Sequence, residues 1–181
     1  RGYCSAIVSF SNIVNDDYIR QLSIKIKCTL TMKRERGEFI GNYAPFGYQK
    51  DPADHHKLVV DEEQAEIVRK IFDWYEGGMS ASSIAKRLNA MQVMTPGDFK
   101  IRDGCKSFIT HDQKSSKIRT WAVNTVATIL KNEVYIGNMV QGKHKSVSYR
   151  SKKMALTDES EWTVVEGTHE PIISDEQFAI I

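Results

Sequence analysis

Residues 121–143, WAVNTVATILKNEVYIGNMVQGK, constrain the fold more than any other stretch of this chain. Val126, Ile129 and Leu130 share one side of a short helix over residues 124–130. An Asn ends it. Residues 134–141 then read as a strand, and Gly142-Lys143 as a basic turn. With the apolar stripe turned inward, Asn124, Thr125, Thr128 and Lys131 are left facing outward.

A helix running at once into a ribbon with Lys143 at its tip suits a protein that lays one element in a DNA groove and another beside it. Amide, hydroxyl and ammonium groups are the types that read base edges or hold phosphates. The competing interpretation is the polar surface of an ordinary helix.

Charge distribution bears on this choice more than total charge. The chain has 181 residues and a formal net charge of only +2. Acids dominate residues 58–76, whereas residues 100–119 carry Lys100, Arg102, Lys106, Lys114, Lys117 and Arg119. Residues 143–153 carry Lys143, Lys145, Arg150, Lys152 and Lys153 and no acid. Basic patches are thus hidden in a near-neutral sum. Solvated loops with spare lysines are the bland alternative.

Several classes are excluded or disfavoured. No apolar run approaches the roughly 18 residues of a membrane span, so no membrane partner is expected. Cys4, Cys28 and Cys105 are scattered, which suits neither a disulfide framework nor a zinc site, and no cofactor is expected. A reducing cytoplasm is the default compartment. His55 and His56 are adjacent and read as turn residues. Residue 1 is not Met and the chain closes on Phe178-Ala179-Ile180-Ile181, so a piece of a longer protein is expected.

Along the chain, residues 5–10 read as a short strand. Asn15-Asp16-Asp17 offers N-cap chemistry for a helix reaching Gly37. Ile19, Leu22, Ile26 and Leu30 give that helix one narrow apolar stripe, which needs a partner. Its basic end carries Lys33, Arg34 and Arg36. Residues 37–48, GEFIGNYAPFGY, combine glycines and aromatics in an extended arm. With Gly37 and Gly41, such a slim arm can follow a minor groove. It can equally be a linker whose Phe39, Tyr43 and Phe46 pack on the next domain.

A short strand at residues 58–60 precedes a helix that starts at Asp61 and ends at Gly77-Gly78. Ser80 caps the next, with Ile84, Ala85, Leu88 and Met91 inward. That pattern matches the first helix of a helix-turn-helix, yet its second helix comes only at residue 124. The intervening stretch, about 25 residues without clear periodicity, is long for a loop. A further strand at residues 162–165, an extended stretch at 168–173 and a helix capped by Ser174 complete the chain. The expected class is α+β: a long N-terminal helix, then a mixed helical domain with a split helix-turn-helix and a small β-sheet or ribbon.

No catalytic set is present by spacing: there is no GxSxG, P-loop or HExxH. Glu161, Glu166 and Glu170 read as solvated charges, and His169, before Glu-Pro, as a residue that orders a turn.

Four blocks resemble large serine recombinases, the site-specific integrases and transposases of phages and mobile elements. They are NDDYIRQLSIKIKCTLTMKRERGEFIG (15–41), the stretch from APFGYQKDP to SIAKRLN (44–89), the opening stretch with its W…TV…IL.N..YIG…GK pattern, and EWTVVEGTHEPIISDEQF (161–178). The resemblance implies a catalytic-domain tail at 1–14, a long connecting helix at 15–37, an extended arm at 38–50 and a recombinase domain at 51–181. It implies a phosphoserine mechanism in the parent protein, with the nucleophile upstream and this piece inactive alone. The implied partners are double-stranded attachment-site DNA and, in the intact recombinase, further copies of itself. The implied DNA-contacting residues are Lys33, Arg34, Arg36, Gly37, Gly41, Lys117, Arg119, Asn124, Thr125, Thr128, Lys131, Lys143, Lys145 and Arg150. Two other functions fit the residues: a winged-helix transcription regulator, or a protein-interaction module using the 19–30 stripe.

Overall fold

The structure, a computed structural model, describes residues 2–105, 119–151 and 153–181, with residues 2–13 as backbone only. Its longest element is α1, Gly2–Glu35. The strand expected at residues 5–10 is therefore overturned, and Asn15-Asp16-Asp17 lies inside the helix instead of capping it. The short apolar alternation was ambiguous, because apolar residues at 3, 7, 10 and 14 are also helically spaced. At the far end Gly37 takes φ +73° and turns the chain, and its amide bonds the Arg34 carbonyl at 2.9 Å.

The arm then packs instead of standing free. Phe39 and Phe46 are buried. The Gln141 side chain holds it like a strand partner, accepting from Ile40 N (3.2 Å) and donating to Glu38 O (2.8 Å). Strand β1 (Tyr48–Lys50) pairs antiparallel with β2 (Leu58–Val60), Tyr48 opposite Val60.

Three helices form the centre. α2 (Glu62–Glu76) begins where the Asp61 carboxylate accepts from Gln64 N, with Glu62 and Glu63 in the first turn, as the helix dipole favours. α3 (Ala81–Ala90) is capped by Ser80. α5 (Val123–Leu130) packs on both α2 and α3. Val68, Ile71 and Phe72 of α2, Ile84 and Leu88 of α3, and Val126, Ile129 and Leu130 of α5 meet in one core. Each such side chain contributes about 1.5–3 kcal/mol, so the core fixes α5 firmly.

Between α3 and α5 lies a helix the periodicity did not reveal, α4 (Pro96–Arg102). Thr95 and Asp98 cap it reciprocally, Pro96 opens it, and Phe99 anchors it among the buried residues. Arg102 ties α4 to Glu63 of α2 through bonds of 2.9 and 2.8 Å. The basic stretch 106–118, which includes Lys117, lies outside the described residues.

After α5 the expected strand at 134–141 is only half right. Asn132 caps a 3-10 turn, Glu133–Ile136, which Gly137 ends at φ +89°. Pairing begins at β3 (Met139–Gln141), antiparallel to β6 (Thr163–Val165). Strands β4 (His144–Ser146) and β5 (Met154–Leu156) form a separate hairpin between them. The short helix α6 (Asp175–Phe178) returns to α2, where Gln177 donates to Asp73 and Glu76, each at 2.9 Å.

Candidate nucleic-acid interface

The outward face of α5 is the centre of the candidate site. Burying Val126, Ile129 and Leu130 leaves Asn124, Thr128 and Lys131 exposed on the opposite side. These residues line an open groove with Ala127, Asn132 and Lys143. A second groove continues past Thr125 to Pro45 and Phe46 of the arm and Pro96 and Lys100 of α4. The sequence pattern therefore located the helix and its face. It took Asn132 only as the residue that ends the helix, and it missed Lys100 and the α4 start as neighbours, because only folding joins them.

The groups of this face are in different states. Among the described residues neither the Asn124 amide nor the Lys131 ammonium has a side-chain partner. The Thr128 hydroxyl does: it donates to Asn124 O at 2.7 Å, which leaves its methyl turned away from the helix backbone. Lys143 sits 4.8 Å from the Trp162 ring centre, close enough for a cation–π contact.

Other residues named from sequence are already engaged. Lys145 reaches Glu161 at 2.8 Å. Arg150 pairs with Asp16, and the Tyr149 hydroxyl lies 3.1 Å from the same carboxylate. The Arg150 hydrogen bond is the main cause that holds the Asp16 carboxyl below its ordinary range. Arg119 approaches Asp98 at 3.7 Å across the α4 N-terminus, over Gly97. Lys33 donates to His56 Nε2 at 2.7 Å and lies 3.5 Å from Glu38, which Arg36 approaches at 3.9 Å. With Nε2 accepting, His56 Nδ1 carries the proton and donates to Phe39 O at 3.0 Å. Arg34 Nε is buried without a partner among the described residues.

Gly37 and Gly41 have packing reasons of their own. A Cβ on Gly37 would lie 2.6 Å from Thr168 Cγ2, and one on Gly41 2.5 Å from the Phe39 ring. Of the arm, Asn42 and Tyr43 remain exposed.

His169 has a structural part. Its Nε2 donates to Val134 O and its Nδ1 meets the Thr168 hydroxyl, both at 2.7 Å. Burial lowers its pKa, so the ring is held neutral. Among the described residues no three His, Cys, Asp or Glu are placed to hold a metal, and no helix is long and apolar enough to cross a membrane.

An α+β domain built on a split helix-turn-helix, with a polar helix face in an open groove, is the class these features define. The chain belongs to the Recombinase family, whose profile matches residues 62–181, from the start of α2 onward. The matched residues take in the third and fourth sequence blocks and the latter part of the second, in agreement with their resemblance to the recombinase domain of a large serine recombinase.

Two solved structures are similar. One, described as concerning the sequence requirements of the Listeria innocua prophage attP site, is 27% identical, and the match covers 88% of this chain and 48% of that one, with a TM-score of 0.47. The other, described as a crystal structure of an LSR–DNA complex, is 25% identical, with 88% and 35% covered and a TM-score of 0.49. This chain thus spans less than half the length of either protein.

Proposed function

We propose that this chain is the DNA-recognition part of a site-specific serine recombinase, and that it binds a half-site of an attachment sequence without supplying the nucleophile. The observation that carries this reading is the α5 face. A helix fixed by its buried side presents Asn124, Thr128 and Lys131 in an open groove edged by Lys143. Such a helix suits the major groove, where Asn pairs with adenine and a Thr methyl meets thymine. Lys131 and Lys143 would hold phosphates and fix the register. Asn42 and Tyr43 are the part of the arm left to follow the adjacent minor groove. In the intact recombinase, Ile19, Leu22 and Ile26 of α1, each about half exposed, would join further copies of the protein.

The test is selection of bound duplexes from a randomised pool, followed by titration of the winning sequence. An enriched motif is expected, with Asn124→Ala relaxing one position of it. Lys131→Ala should weaken all sequences alike and flatten the salt dependence by about one charge. A pool that emerges without enrichment would sink the proposal.

A further inference from the structure

The β4–β5 hairpin connects the groove to α1, and neither the helix face nor the core requires this. At its base Lys143 edges the α5 groove. Its strands pair in register, Lys145 opposite Ala155. Its turn is ordered by its own bonds: Ser146 Oγ donates to Ser148 O (3.0 Å), Arg150 N to Ser148 Oγ (3.3 Å) and Val147 N to Lys153 O (3.1 Å). The guanidinium lies 5.3 Å from the centre of the Tyr149 ring, so these two side chains form one unit.

That unit grips Asp16. Arg150 Nη2 donates to Oδ2, and the Tyr149 hydroxyl lies 3.2 and 3.1 Å from Oδ1 and Oδ2. The contact spans more than 130 residues of sequence. α1 also contacts β6, and just past its C-terminal end Gly37 lies against Val165 and Thr168. From Asp16 to that end is about 28 Å of helix at 1.5 Å per residue. The hairpin is therefore a strut between a DNA-facing groove and the free part of a long helix.

A carboxylate held by a guanidinium and a hydroxyl presents its two oxygens much as a phosphodiester presents its two non-bridging oxygens. Both partners are largely exposed, with side-chain exposures of 66% for Arg150 and 43% for Asp16, so the pair is weak and readily exchanged. Arg20 also acts on the Asp16 carboxylate, so α1 supplies a cation of its own once Arg150 leaves.

We propose that Tyr149 and Arg150 form a phosphodiester-binding site at the hairpin tip, which Asp16 of α1 fills in the DNA-free chain and a DNA backbone phosphate takes over. DNA engagement then unlatches the hairpin from α1 and frees the helix to change direction. This rests on the DNA-binding reading above.

The experiment is a salt titration of the full chain on the selected duplex by fluorescence anisotropy, for wild type and five variants. Asp16→Asn removes the competitor, so affinity should rise about two- to fivefold with an unchanged salt slope. Arg150→Ala should lower affinity and reduce the slope by about one, and the double variant should behave as Arg150→Ala alone. Asp17 neighbours Asp16 and has no hairpin contact, so Asp17→Asn should change nothing. Equal gains from Asp16→Asn and Asp17→Asn would reduce the effect to net charge and overturn the proposal. So would an Arg150→Ala variant that binds like wild type. Lys131→Ala separates the two readings: if it weakens binding while Arg150→Ala and Asp16→Asn are silent, the tip site fails and the groove stands. If no variant or wild type binds DNA, both fall.

Discussion

Asn89 and Trp121 are joined by two hydrogen bonds, Asn89 Nδ2 to Trp121 O at 3.0 Å and Trp121 N to Asn89 Oδ1 at 2.7 Å. The side-chain amide thus pairs with a backbone unit as a neighbouring strand would. It joins the end of α3 to the start of α5 across the long insertion between them. The Trp121 indole adds a third bond, to Val93 O at 3.0 Å. α5 has no side-chain cap of its own, since Ala122 stands at the N-cap position. The clamp fixes the helix start instead.

Asn89→Ala should therefore cost about 1–3 kcal/mol, two net hydrogen bonds and a partly buried amide left unpaired. Thermal melting will show this as a lower Tm. Asn89→Asp should fall as far or further, because it keeps the acceptor but sets a carboxylate against the Trp121 carbonyl. An Ala variant with wild-type Tm would mean that the core alone holds α5.

The clamp also shows where sequence reasoning reached and where it stopped. Ser80 and Ser174 were legible as caps, and Asp61 as the start of a helix, because an N-cap acts on amides two or three residues away. The stripe Val126, Ile129 and Leu130 was legible for the same local reason. Val134–Ile136 misled, since β-branched and aromatic residues suggest a strand. The Asn132 cap and left-handed Gly137 make it a 3-10 turn. The pairing of Asp16 with Arg150, and of Asn89 with Trp121, left no trace in spacing. Both depend on folding that joins distant segments.

Gly37 and Gly78 offer a matched test of backbone strain. Both have positive φ, +73° and +87°. A Cβ at Gly78 meets nothing within 4 Å, whereas one at Gly37 meets Thr168 Cγ2 at 2.6 Å and Val165 Cγ1 at 3.2 Å. Gly78→Ala should cost about 1 kcal/mol from φ alone. Gly37→Ala should cost more, because the junction of α1 with β6 must shift as well. Urea unfolding of both variants will order them, and equal midpoints would contradict the contact.

His169 makes stability depend on pH. Burial lowers its pKa in the folded chain below the ordinary value near 6.5. On acidification the unfolded chain takes up the proton first, which favours unfolding. The contribution is thus complete above about pH 6.5 and is lost as pH falls through the lower, folded-state pKa. Tm should drop more between pH 7.5 and pH 5.5 for wild type than for His169→Gln. Identical drops would assign the acid sensitivity to other groups.

Tyr48 is a buried phenol whose single proton is shared between Val134 O at 3.1 Å and Glu170 O at 2.9 Å. The Val134 carbonyl also receives His169 Nε2, so it keeps a partner in Tyr48→Phe. The Glu170 carbonyl loses this one. The expected loss is about 1 kcal/mol, seen as a lower urea midpoint at unchanged m-value. A changed m-value would instead indicate a looser packing of the β1 region.

Thr128 gives the sharpest prediction for the groove. Its hydroxyl is spent on Asn124 O at 2.7 Å, so the methyl is the group offered outward. If α5 reads DNA with that methyl, Thr128→Val should bind the selected duplex within about twofold of wild type. Thr128→Ser keeps the hydroxyl and loses the methyl. It should weaken binding about fourfold, the worth of one buried methyl group. Replacing thymine by uracil at the contacted position should produce the same loss in wild type and no further loss in Thr128→Ser. The opposite order, with Val weak and Ser like wild type, would place the hydroxyl on a base or phosphate and require the Thr128–Asn124 bond to open on binding.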